Sequence, residues 1–586
     1  MKKKKKRPVD ELTLSTVWYS LQRICWDMRY VIDRTAQNYF MAALHDLSVG
    51  IWDARGRTVS VPVGIASQFL GAPFAVKSMI EIFGKDLHPG DVILTNDPFH
   101  GGHNCHLPDW GFFRPIFYKG ELLFWTLARG HQLDSGGSYP GGYFSGGYDI
   151  HSEGICIPPI KVFERGVEQK EILRLLWNNV RLPEGMKIDN YSMIASTRLC
   201  ERRLTELMDK YGKETVLQCI EEMIARTERA TRREIRTFPE GTYHGESTTD
   251  DDGTVYDEPV TVKVQLTVHG DEMTLDLRDN VPQRKGFINS NFATTYANAM
   301  ASVVLGLDPA LADFVNEGTL RPIHVLATPG TVVHAQYPVT VGSSPNSVGV
   351  QILEAVLDAL AKARPERAIA AAGRNRAHFA FGRDLRTQGQ YVRLSFSCCG
   401  GLGAVNGFDG YSPAVLMQGR GSINRGSIEE EEVRFPYRIG KYEFAADLMG
   451  AGKYRGGLGI DWEEVNEGEG SGLATGCTDG DDTRGHGCLG GEPTPLSRMF
   501  IRRGDQEIPV HSHRVVFIER GDTIVKVSAG GGGVGNPRER DPERVLEDVR
   551  NEVVSLRAAR EVYGVHIETD PLRIDWDQTR ALRVPS

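Results

Sequence analysis

Pro115-Ile116-Phe117-Tyr118-Lys119-Gly120-Glu121-Leu122-Leu123-Phe124-Trp125-Thr126-Leu127 reads as two apolar strands joined by a Lys-Gly turn. A glycine there supplies the left-handed backbone that a tight hairpin needs. If Tyr118 pairs with Glu121, the register places Asp109 opposite Gly130 and Pro108 opposite His131. Upstream lies the apolar strand Asp91-Val92-Ile93-Leu94, and between the two runs a Gly/Pro-rich stretch, Thr95 to Trp110, that must be a loop. Further out, Leu47–Trp52 and Thr58–Val61 flank the turn Asp53-Ala54-Arg55-Gly56 as another hairpin. Val17, Leu21, Ile24, Met28 and Val31 recur at helical spacing over 12–34, with Thr13 or Ser15 as cap.

Helical periodicity returns over 190–235, and 239–280 alternates as short strands with turn chemistry at Asp252-Gly253 and His269-Gly270. A helix from Val348 to Ala363 stops at Arg364-Pro365, because proline cannot continue it. A strand- and glycine-rich region follows to 537, and a last helix is expected from Pro542 to Tyr563. The fold class is α+β, multi-domain, with mixed sheets. Its expected divisions are a basic flexible terminus (1–10), an α+β domain bearing the hairpin (11–237), a β-rich domain (238–340), a mixed glycine-rich β domain (341–537), and a C-terminal helix and tail (538–586).

Composition narrows the function classes. The 586 residues carry 77 acidic and 68 basic side chains, a net charge of −9, with 40% hydrophobic and 25% charged residues. These proportions argue against a disordered, collagenous or membrane-embedded chain. The acidity argues against a nucleic-acid partner, since phosphate binding needs a basic face. Nine cysteines without CxxC spacing read as reduced thiols, so a cytoplasmic location is expected. The start Met1-Lys2-Lys3-Lys4-Lys5-Lys6-Arg7 is followed by charge at Asp10-Glu11 where a signal peptide needs apolar residues, and it reads as a frayed, solvated tail. No window suits a membrane span.

The densest chemistry is Asn96-Asp97-Pro98-Phe99-His100-Gly101-Gly102-His103-Asn104-Cys105-His106-Leu107-Pro108-Asp109, which holds three histidines, two carboxylates and a thiol. The hairpin delivers His131 to the same end as His106 and Asp109. Two imidazoles and one carboxylate that leave positions open suit a catalytic divalent cation: iron or manganese if octahedral, zinc if tetrahedral. His100 and His103 keep the choice of ligands open on residue types alone. Asp134 is a candidate to accept a ring N–H from a ligand histidine. Asp97, Glu153 and His103 are further candidates for supporting or acid/base roles. Trp110, Phe112, Trp125, Tyr139, Tyr143 and Phe144 are candidate pocket walls for an apolar substrate.

The run Asn96-Asp97-Pro98-Phe99, Gly101-Gly102 and His106-Leu107-Pro108-Asp109 is similar to the NDPYxGGTHLPD signature of the hydantoinase B/oxoprolinase family. The likeness continues at Glu153-Gly154, Ile157-Pro158-Pro159-Ile160-Lys161, Asn179-Val180-Arg181-Leu182-Pro183, Pro239-Glu240-Gly241-Thr242-Tyr243, Gly450–Gly457, Gly530–Pro537 and Ala559–Val565. It implies a fold of the hydantoinase B type and a cytoplasmic hetero-oligomer with a hydantoinase A-type subunit. That partner binds ATP with magnesium and phosphorylates a carbonyl oxygen of a small substrate, and this chain completes the reaction. In the acetone carboxylase member the metal ligands are a His-x-x-Asp pair and a later histidine, which map onto His106, Asp109 and His131; manganese, zinc or iron is the implied metal.

Gly130-His131-Gln132-Leu133-Asp134-Ser135-Gly136-Gly137 carries one histidine where hydrolytic members read HHADxGG. This departure leans toward a biotin-independent ketone carboxylase of the acetophenone type, which joins a phosphorylated enol to CO2 or bicarbonate to give a β-keto acid. The alternatives are a subunit of an ATP-dependent cyclic-amide hydrolase acting on hydantoin, oxoproline or a lactam, and a non-catalytic scaffold. Gly530–Gly535 matches a dinucleotide-loop pattern only through its glycine content. Cys477, His486 and Cys488 lack the spacing of a zinc site.

Overall fold

The hairpin of the sequence sits at the centre of a seven-stranded sheet in the computed structural model, which describes residues 9–374, 376–412, 414–419, 423–476 and 479–583. The lysine-rich start and Cys477 lie outside the described residues. The strands are β1 (Leu47–Asp53), β2 (Thr58–Val63), β3 (Val92–Thr95), β4 (Asp109–Tyr118), β5 (Glu121–His131), β6 (Ile160–Glu164) and β7 (Val167–Glu168), in the order β2-β1-β5-β4-β3-β6-β7. Successive side chains go to opposite faces, as a pleated strand requires. Val92, Leu94, Phe112 and Phe124 join one core, and Ile93, Phe113 and Trp125 join the other.

The first face is covered by helices Glu11–Thr35 and Pro183–Tyr211, and Lys213–Ile235 packs on that pair. The leading helix buries Leu14, Val17, Leu21, Ile24, Met28 and Ile32 along one stripe. Its cap is Asp10, not the expected Thr13 or Ser15: the Asp10 carboxylate accepts from the Thr13 N–H at 2.9 Å. An anion at that end also meets the positive pole of the helix dipole. Gly212 (φ 84°) separates the other two helices.

The second face shares its core with the rest of the chain, so that Trp125, Leu275, Val356 and Leu394 belong to one apolar cluster. Strands β8 (Gly241–Thr249), β9 (Val260–His269), β10 (Glu272–Asp276) and β11 (Ile323–Leu326) form a sheet ordered β11-β10-β9-β8. The helix Val348–Ala363 presses on it so closely that a Cβ at Gly245 would fall 2.0 Å from the Ala355 carbonyl oxygen. Three further sheets follow among the described residues, one containing His378–Arg383 and Gln390–Ser395, the next Tyr437–Ala445 and Gly459–Asn466, and the last pairing Ile567–Thr569 with Leu572–Ile574.

The run at 530–535 is structural. Gly531 donates to the Gly457 carbonyl, and a Cβ there would fall 2.1 Å from the Leu402 carbonyl oxygen. The single helix expected over 542–563 is two, Pro542–Arg550 and Leu556–Glu561. Glu552 at φ 58° turns the chain out of the first, and Ser555 caps the second by accepting from the Ala558 N–H. No helix among the described residues is long and apolar enough to cross a membrane.

Candidate metal centre

β4 and β5 pair from Tyr118↔Glu121, but Phe117 faces Leu122 while Ile116 faces Phe124. Leu123 is the extra residue of a bulge, and it moves every later pair by one position. Asp109 therefore faces His131, and Trp110 faces Gly130, where the unbulged register had put Asp109 against Gly130. Cross-strand partners share a face, so the bulge brings carboxylate and imidazole together.

Asp109 Oδ1 lies 3.2 Å from His106 Nε2 and 3.2 Å from His131 Nδ1. The two rings stand 5.1 Å apart, and all three side chains are buried. The second Asp109 oxygen accepts from the Cys105 thiol at 2.9 Å and from Gln68 Nε2 at 3.1 Å. Gln68 Nε2 also donates to Asp46, whose other oxygen is 4.0 Å from His131 Nδ1. The loop that carries His106 is pinned by Asn104 Nδ2, which donates to the carbonyls of Asn96, His106 and Asp109.

The donor set can hold a cation. The Gly342 carbonyl lies 2.8 Å from His106 Nδ1 and only accepts, so that nitrogen carries the proton. In the neutral ring, Nε2 then turns a bare lone pair toward the Asp109 carboxylate. Asp109 Oδ1, between the two rings, is buried with no hydrogen-bond partner. Such a face is stable with positive charge between the groups, either a proton or a metal ion. Burial works against charge on His106, but Asp109 outweighs it and holds the imidazole above its usual range. Burial lifts Asp46 to about 6 despite the His131 imidazole. Two imidazole nitrogens with the Asp109 and Asp46 carboxylates fit a divalent ion of the zinc, manganese or iron type.

The supporting groups differ from expectation. Asp134 accepts from the backbone of Gly136, Gly141 and Arg181 and from the Arg181 guanidinium, rather than from a ligand histidine. Orientation of His106 falls to the Gly342 carbonyl, and Glu153 holds that peptide: Oε1 accepts from Gly342 N–H at 2.6 Å and Oε2 from Val341 N–H at 3.2 Å. Burial raises the Glu153 carboxyl to about 8 against those donors. His103 adopts φ 47°, and its ring bonds Ser78 Oγ at 2.9 Å and packs against Phe74, with burial lowering its pKa. Asp97 caps the turn at Phe99 and His100.

A cavity of about 30 Å3 opens on His106, Asp109, His131 and Asp46 and is walled by Ile65, Tyr143, Leu394, Phe396, Leu416 and Ile423. That volume suits an ion and a water or two, not a ring substrate. Of the six aromatics singled out in the sequence, Tyr143 lines it. Trp110 and Phe112 fill the helix-covered core and Trp125 the opposite one, while Tyr139 and Phe144 stack on each other. Asp46, Gln68, Gly342 and the walls at 394–423 were not found from the sequence. His486 and Cys488 both approach the Ile369 carbonyl.

The fold and the site define a chain of mixed sheets around a buried carboxylate set between two imidazoles. The comparisons give the particular family: the Hydantoinase B/oxoprolinase pattern matches residues 10–537, and the chain belongs to that family. The beta subunit of the caprolactamase of Pseudomonas jessenii is 32% identical over 96% of this chain and 97% of its own length. The B subunit of a putative D-/L-hydantoinase from Pseudomonas sp. (strain NS671) is 28% identical over 98% of each. The acetophenone carboxylase delta subunit of Aromatoleum aromaticum is 24% identical over 93% and 84%. Among solved structures, the ATP-dependent caprolactamase from P. jessenii superposes with a TM-score of 0.89 at 28% identity, covering 99% of this chain and 100% of that one.

Proposed function

We propose that this chain is the metal-bearing subunit of an ATP-dependent enzyme that opens cyclic amides with water. The carrying observation for the chemistry is Asp109 Oδ1 set 3.2 Å from each of two buried imidazoles. The choice of reaction is supported by the 32% identity to a caprolactamase subunit across nearly both chains. A divalent ion held by His106, Asp109 and His131, with Asp46 beside them, would polarise a carbonyl oxygen or lower the pKa of a water. Gln68 keeps the two carboxylates in register, and Glu153 and Gly342 fix the proton of His106 on Nδ1. The apolar walls exclude bulk water. In this reading a hydantoinase A-type partner supplies ATP and phosphorylates the carbonyl.

The second reading is a biotin-independent ketone carboxylase of the acetophenone type. Its support is the single histidine of Gly130-His131-Gln132-Leu133-Asp134, together with the apolar wall of Ile65, Leu394, Phe396, Leu416 and Ile423 on one part of the cavity, which suits chemistry that must keep water out. The complex reconstituted with its ATP-binding partner decides between them. Lactams, hydantoins and ketones are offered with ATP, with and without labelled bicarbonate. Ring opening indifferent to bicarbonate is the expected result. Label entering a β-keto acid makes the protein a carboxylase component and overturns the first reading.

A further inference from the structure

We propose that Asp97, His100 and Cys156 form a second binding site, separate from the buried centre, for a thiophilic divalent cation of the zinc type. One ligand atom from each of the three lies within 4.8 Å of the others. Carboxylate, imidazole and thiolate are all zinc donors, with bonds of about 2.0–2.3 Å, so a small inward movement completes a three-donor face. The imidazole already stands at the carboxylate, with His100 Nδ1 3.1 Å from Asp97 Oδ2.

The three donors sit on two segments locked together. Asn96, next to Asp97, donates from Nδ2 to the Ile155 carbonyl at 2.9 Å and accepts on Oδ1 from the Ile157 N–H at 2.7 Å, so it brackets Cys156 from both sides. Thr95 Oγ1 adds a bond to the Ile157 carbonyl at 2.9 Å. Asp97 is fixed in turn, one oxygen accepting from Phe99 N–H at 2.8 Å and the other from His100 N–H at 2.9 Å. Donors held this way lose little freedom on binding.

Access and charge agree with the assignment. Asp97 is fully buried while the His100 side chain is 53% exposed, so an ion enters from solvent and keeps water on its open positions. Burial and the Asp97 charge push the Cys156 thiol up, which leaves it protonated until an ion displaces the proton to solvent. The bound state, M2+ with one carboxylate and one thiolate, is neutral. A filled site also ties the loop leading to His106 to the segment that follows Glu153.

The test uses the full chain, stripped by chelator and titrated with Co2+, following near-ultraviolet thiolate-to-cobalt absorption and bound equivalents. The wild type should bind two equivalents and show the thiolate band. Cys156→Ser should lose the band and one equivalent. His100→Ala, at a half-exposed position, should weaken the same equivalent tenfold or more while the unfolding midpoint stays near that of the wild type. His106→Ala should lose the other equivalent and keep the band. One equivalent in the wild type, carrying a band that Cys156→Ser abolishes, supports this site and tells against the buried one. A band that survives Cys156→Ser but is lost in Cys105→Ser, or a wild type without any band, overturns the proposal.

Discussion

Glu153→Gln isolates the support of the buried centre. The glutamate meets two consecutive N–H donors, at 2.6 Å from Gly342 and 3.2 Å from Val341, and the Gly342 carbonyl orients His106 at 2.8 Å. Glutamine keeps the size and one acceptor, but turns an NH2 toward the other donor. A buried donor left unpaired costs about 1–3 kcal/mol. Separately, loss of a group that orients a metal-binding histidine lowers metal affinity by roughly 10–100-fold, which is about 1.4–2.8 kcal/mol. Competition between the apoprotein and a chelator for Mn2+ or Zn2+ measures the change directly, and the unfolding midpoint is followed in parallel. Gly342→Ala should act alike, because its Cβ would meet Glu153 Oε1 at 2.8 Å. An affinity within twofold of wild type in Glu153→Gln, beside a lowered midpoint, refutes the reasoning and leaves Glu153 a purely structural residue.

Other consequences are open to direct measurement. Asp109→Asn should remove cation retention on dialysis, read by elemental analysis, and Asp46→Asn should weaken it less, because Asp109 faces both imidazoles and Asp46 stands 4.0 Å from one; equal retention in Asp109→Asn and wild type would exclude the centre. Acid stability should depend on Asp251. Burial lifts this carboxyl, but His513 and Arg514 outweigh it and bring it to about 2 from 3.8. A depressed carboxylate contributes stability that is present above its unfolded pKa and lost as pH falls through its folded one. The window is therefore pH 4 down to 2, and the contribution is about 2 kcal/mol. Asp251→Asn should lose that amount at neutral pH and show a flatter decline across the window in urea titrations; an unchanged acid limb would rule the pair out.

Much of the architecture was legible because it is local. The 3.6-residue period of Leu14 to Ile32, the Lys119-Gly120 turn and the Pro365 stop each act within a few residues, and the helix, hairpin and helix end stand where those signals put them. That His106, Asp109 and His131 would meet was legible for the same reason, since one hairpin and the loop leading into it carry all three. The break at Glu552 and the bulge at Leu123 were not, because each is one residue's departure from a repeating pattern, and periodicity averages over it. Composition likewise named aromatics near the motif without telling which face of the sheet each occupies, so Trp110 and Trp125 went to two cores and Tyr143 alone of the six to the cavity.

The sequence by itself determined the α+β class and, through its motifs, the family, and the family resemblance singled out His106, Asp109 and His131 as candidate ligands. Tertiary structure alone decided that Asp46, Gln68 and Gly342 stand beside His106, Asp109 and His131. These residues come from separate segments, and no local pattern encodes their meeting; they converge because burying two apolar faces of one sheet brings their strands and loops to the same end. There the removal of water makes each unpaired charge costly, and so fixes which carboxylate must face which imidazole.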